Sequence, residues 1–169
     1  PEGGVPDLDS EAQGVGLWAG DTGTLHDASR RALLRLLQGP YVSGRANPQL
    51  WAALVAVSRE VPVEGGLFDS WASDVPAHRA ALLAAGLEGL GRGKVGGEIA
   101  ALDNDWTRAM DAAVAARRTG EAVVLAASAM RGNWAEVPPD YLRRIARAFT
   151  TLGLTAEAQL IVAEAANRG

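Results

Sequence analysis

The stretch Pro138–Asn167, PPDYLRRIARAFTTLGLTAEAQLIVAEAAN, carries the clearest periodicity in the chain. Leu142, Ile145, Phe149 and Leu152 recur at steps of three and four, which places them on one face of a helix. Pro138 and Pro139 suit the start of that helix, because the first helical position needs no backbone N–H. Gly153 suits its end, where glycine enters the left-handed conformation at little cost. Thr155 then reads as the cap of a second helix, with Glu157 in the first turn where the helix dipole favours a negative charge. Ala158, Ile161, Val162 and Ala165 form the apolar stripe of this second helix. A turn this short forces the two helices antiparallel. The other segments read as variations on the same unit, and they set the expected fold class: all-α.

Composition agrees. Of the 169 residues, 48% are hydrophobic and 21% charged, the balance of a folded domain with a core rather than of a disordered chain. Strand formers are sparse and alanine, leucine and arginine abundant, which favours helix. A net charge of −4 gives no general attraction for nucleic acid or acidic lipid. No apolar run approaches the roughly 18 residues of a membrane-spanning helix. Cysteine is absent, which excludes disulfides, thiol catalysis and cysteine zinc sites. The chain opens at Pro1 with no signal-peptide pattern, and the reading favours a piece of a longer protein.

Outward from the C-terminal hairpin, residues 1–23 are rich in glycine and acidic residues and read as a flexible arm or linker, and 24–169 as one helical domain. A helix is expected over 27–38, with Arg30, Arg31 and Arg35 away from its core face, and another from Asn47-Pro48 that turns Leu50, Trp51, Leu54, Val57 and Val61 inward. Leu67, Phe68 and Trp71 mark a short helix. Ala80, Leu83, Leu87 and Leu90 mark a longer one, interrupted at Gly86 and Gly89. There either a second helix approaches closely or Gly86 is a turn. Gly91–Gly97 reads as a loop. From Asn104 a helix carries Trp106, Met110, Ala113 and Arg117 on one face and ends at Thr119-Gly120. Glu121–Arg131 is apolar nearly all round, the pattern of a helix enclosed by neighbours.

Gly86, Gly120 and Gly153 fall 34 and 33 residues apart. That spacing, together with Trp134, Val137 and Tyr141, resembles the opening of a tetratricopeptide repeat, whose period is about 34. The resemblance covers eight residues. Pro138 stands where that family has glycine, and Thr150 and Leu154 where it has alanine and phenylalanine. It implies antiparallel helical hairpins stacked in a short α-solenoid; the alternative is an irregular helical bundle.

The candidate chemistry is thin. Gly91-Arg92-Gly93-Lys94-Val95-Gly96 matches G-x-G-x-x-G, but a helix precedes it where a dinucleotide site needs a strand. Glu88 and Val95 likewise break a P-loop. His26 and His78 lie in no metal-ligand spacing. Asp103-Asn104-Asp105 begins like a calcium loop without its glycine or terminal glutamate, and reads as a helix cap. No catalytic, cofactor or metal residue is therefore assigned. Five of the nine aromatics are tryptophan; Trp51 and Trp106 sit on apolar stripes. Trp18, Trp71 and Trp134 lie beside breaks, where an indole either plugs a gap or anchors a partner. Fifteen arginines against one lysine cluster in part at Arg143, Arg144 and Arg147. On a helical wheel these lie about 100°, 200° and 140° from Leu142, away from the apolar stripe.

The expectation is a non-catalytic module that offers a helical surface to a protein or peptide, acidic in character, with Arg143, Arg144, Arg147, Trp134 and Trp71 as partner contacts. An enzyme or its accessory part, with Glu60, Glu64 or Glu98 working in a cleft, is the first rival. A nucleic-acid-binding regulator is the second.

Overall fold

A computed structural model describes residues 48–169. The arm at 1–23, the helix expected over 27–38, Trp18 and His26 lie outside the described residues. The described residues form seven α-helices and no strand: α1 (Pro48–Val57), α2 (Gly65–Ala72), α3 (Ala77–Gly89), α4 (Asp105–Ala115), α5 (Thr119–Ala129), α6 (Pro139–Thr151) and α7 (Thr155–Arg168). A single 3-10 turn, Trp134–Glu136, leads into α6.

Local chemistry sets the boundaries. Pro48 is the first residue of α1. Arg92 donates to the carbonyls of Val55, Ser58 and Val61 at 2.6–2.9 Å, tying the last turn of α1 and the segment after it with charged donors. Trp51 Nε1 donates to Pro62 O at 3.1 Å and holds the break that follows. At the head of α4 the Asn104 side chain accepts from Thr107 N, and the Thr107 hydroxyl oxygen accepts from Asn104 N, both at 3.0 Å. Asp103-Asn104-Asp105 is thus a helix cap.

Gly153 has φ +89°. Its N–H reaches Thr150 O, and Leu154 N–H reaches Phe149 O, so α6 closes in the left-handed turn that glycine favours. One detail differs from expectation. Thr155 is the first residue of α7 and makes no capping bond; Leu154 holds the cap position, because the turn leads directly into the next helix.

α6 is the centre of the unit, with α3, α4, α5 and α7 all packed against it. Leu142, Ile145, Ala146, Ala148 and Phe149 are buried on it. α3 also packs on α7, and α1 packs on α7 in turn. The first and last described helices therefore meet, a pairing that stacks of repeats touching only their neighbours do not make. The three evenly spaced glycines fill unequal positions. Gly86 is inside α3, Gly120 is in the first turn of α5, and Gly153 lies beyond the end of α6. Gly86 is no turn: a Cβ there would strike Val162 on α7, and one on Gly89 would strike the Arg143 carbonyl and Ala146 on α6. Close helix approach is the reason for both.

Two expectations about α4 and α5 are corrected. α4 ends at Ala115, closed by Arg117 at φ +52° with Arg118 N–H on Ala113 O, so Thr119-Gly120 opens α5 rather than ending α4. α5 is not enclosed. Only Ala122 and Ala126 are buried, while Val123 is 42% and Val124 68% exposed. The helix packs on α4 and α6, which cover one side of it.

Candidate functional site

A helix that turns Leu142, Ile145 and Phe149 inward carries Arg143, Arg144 and Arg147 elsewhere, and the expectation was an outward basic face. The structure divides them. α4 and the segment before it close over that side of α6, so Asp140, in the first helical turn, is only 1% exposed. A lone buried carboxylate would be costly, and Asp140 is fully engaged. It accepts from Leu102 N (2.9 Å), from Arg143 Nε (2.9 Å) and a second Arg143 nitrogen, and from Arg144 Nε (3.1 Å). Arg143 also reaches Glu88 on α3 at 3.4 Å. Arg144 reaches Asp111 on α4 at 2.5 Å and Leu102 O at 3.1 Å. Trp106 stacks on Tyr141 with 4.0 Å between ring centroids, and the Asn104 amide donates to Tyr141 Oη at 2.9 Å. These contacts fasten the head of α4 to α6.

Burial is the largest single influence on the Asp140 carboxyl and pushes its pKa up. The Leu102 N–H and the Arg143 and Arg144 guanidiniums together outweigh it and hold the group below the ordinary carboxylate range. Arg143 and Arg144 are therefore internal ties between α3, α4 and α6, not free charges on a surface. This corrects the outward reading for two of the three arginines.

Arg147 differs. It is exposed, and its guanidinium makes no hydrogen bond or ion pair among the described residues. It borders a groove of about 290 Å³ between α4 and α6. Asp111, Val114 and Ala115 line one wall, and Arg143, Arg144, Arg147, Ala148 and Thr151 the other. All three sequence-marked arginines thus come to one place, but only Arg147 has its donors unengaged.

The two tryptophans marked as partner contacts do not join them. Trp71 is completely buried, donates from Nε1 to Gln49 Oε1 at 3.1 Å, and has the Arg79 guanidinium 5.9 Å from its ring. It plugs the core and offers no surface, which corrects its reading as an anchor. Trp134 is half-buried in the 3-10 turn, and His78 Nε2–H donates to its carbonyl at 3.1 Å. His78 is engaged there.

Glu60, Glu64 and Glu98 are exposed. Arg92, inside the glycine-rich loop, is occupied with α1. Among the described residues no three side chains are grouped to hold a metal ion, and no helix is long and apolar enough to cross a membrane. The residue that sequence reasoning underrated is Asp140. Its signal was present: an acid in a first helical turn with arginines three and four residues later, the spacing at which charged side chains meet.

What these parts define is an all-helical unit with a groove between α4 and α6. No family model, curated protein or solved structure matches the chain.

Proposed function

We propose that this protein is a non-catalytic interaction module, built as an irregular helical bundle, whose α4–α6 groove receives an acidic side chain of a protein or peptide partner. The observation that carries this reading is the unengaged, exposed guanidinium of Arg147 beside a groove whose other cations are already paired. Val114, Ala115 and Ala148 supply apolar contact, and Arg147 supplies a charge-assisted donor. Such a contact chiefly raises the association rate and sets orientation, and salt weakens it.

The test is capture from an extract of the source cell by wild-type and Arg147→Glu bait at low and high salt, beside a denaturant melt. The exposed substitution should leave folding within about 0.5 kcal/mol of wild type. Capture of an acidic partner should fall about tenfold at low salt, a change of about 1.4 kcal/mol. Undiminished capture by a folded Arg147→Glu protein contradicts the proposal.

A further inference from the structure

α5 has a face that no other helix among the described residues covers. Ala122 and Ala126 are its buried positions. At about 100° per residue, Gly120, Val124 and Ala127 fall on the opposite side, spaced four and three apart as in the seam of a helix pair. Val124 is 68% exposed and Val123, on the flank, 42%. Gly120 is a helical residue with nothing within 4 Å of where its Cβ would stand, so no neighbour among the described residues requires its missing side chain. A glycine in a helix lowers stability unless something must come close. The charges at the two ends of this face are opposite. Glu121 lies in the first turn, its side chain 40% exposed, and among the described residues its one ion pair is with Arg118 at the surface. Arg131, just past the C-cap Met130, is exposed and makes no ion pair among the described residues.

From this geometry we infer that α5 pairs with α5 of a second copy of the chain, antiparallel about a two-fold axis between Leu125 and Ala126. That register sets Val124 of each copy over Ala127 of the other. It also brings Arg131 of each across Gly120 of the other, where the absent side chain leaves it room to reach Glu121. The pairing is self-complementary in shape and in charge, as a two-fold interface must be. The helix has 11 residues and is about 16 Å long. Two such helices bury less than the roughly 1,200 Å² of a standard stable interface, so the dimer is weak and reversible. This surface is separate from the α4–α6 groove, and the inference stands independently of the proposed function.

Sedimentation equilibrium of the full chain, from about 10 μM to about 1 mM, is the test. A reversible monomer–dimer equilibrium is expected. Val124→Arg should weaken it about tenfold or more, and so should Glu121→Arg, which sets like charges opposite each other. Adding Arg131→Glu to Glu121→Arg should restore association to within about threefold of wild type, because both charges are then exchanged in both copies. Circular dichroism on each variant checks that these exposed substitutions leave the helices formed. A chain monomeric throughout, a dimer indifferent to Val124→Arg, or a charge exchange that fails to restore association overturns the inference.

Discussion

Asp140→Ala is expected to destabilise the helical unit by about 3–5 kcal/mol, read as a lower denaturant midpoint at unchanged slope. The carboxylate is 1% exposed and accepts from Leu102 N, Arg143 and Arg144. Removing it leaves two part-buried guanidiniums close together without their shared counter-charge, and a backbone donor without its acceptor. Small domains have a net stability of about 5–15 kcal/mol, so the loss is a large share of the whole. Asp140→Asn keeps an acceptor for Leu102 but not the charge, and its cost should be intermediate.

Acid should act in the same direction. Because the folded state holds the Asp140 pKa below its unfolded value, the unfolded chain binds the proton first as pH falls. The contribution of Asp140 is fully present above the ordinary carboxylate range, about pH 4, and is lost as pH falls through the lowered folded value. Asp140→Asn should flatten that part of the stability curve. Parallel curves for wild type and Asp140→Asn would show that the charge contributes nothing to the fold.

Gly89→Ala should cost up to about 2 kcal/mol net, the upper end of the overpacking range less the helix-propensity gain. Alanine gains about 1 kcal/mol over glycine in helix propensity. Overpacking a tight contact costs about 1–3 kcal/mol, occasionally more. The new Cβ would meet the Arg143 carbonyl oxygen and stand 2.8 Å from the Ala146 Cβ, and a backbone oxygen cannot swing aside as a side-chain tip can. α3 and α6 would have to separate, drawing Glu88 away from Arg143. Gly66→Ala on α2, where nothing lies within 4 Å, is the matched control and should be neutral or mildly stabilising. Equal midpoints for Gly89→Ala and wild type would mean that α3 and α6 do not cross at that point.

The glycines show how far sequence reasoning reached. Gly153 was legible because stripe, break and new stripe all agree within a few residues, and the hydrogen bonds that close α6 are local. Gly86 and Gly89 were legible only as a choice between turn and close approach, because what approaches them, Val162 and the Arg143 carbonyl, lies more than 50 residues away. Even spacing of Gly86, Gly120 and Gly153 suggested a repeat, but spacing carries no information about the role each glycine plays. α5 was misread for a related reason. An all-round apolar helix lacks the polar face that would show which side meets solvent, and burial depends on helices elsewhere in the chain.

The basic face of α6 failed in the opposite way. A helical wheel measures angles from the helix's own stripe and assumes that the far side is wet. Here α4 covers much of that side, so Arg143 and Arg144 close upon Asp140 while Arg147, on the same face, stays open. The wheel located the groove's arginines but could not separate structural from available ones.

That division is the centre of the account, and one comparison tests it most directly: denaturant melts of Arg143→Gln and Arg147→Gln beside wild type. Arg143→Gln removes a part-buried charge facing Asp140 and Glu88 and should lose about 2 kcal/mol or more. Arg147→Gln should stay within about 0.5 kcal/mol of wild type. Equal losses, or a larger one for Arg147→Gln, would contradict it.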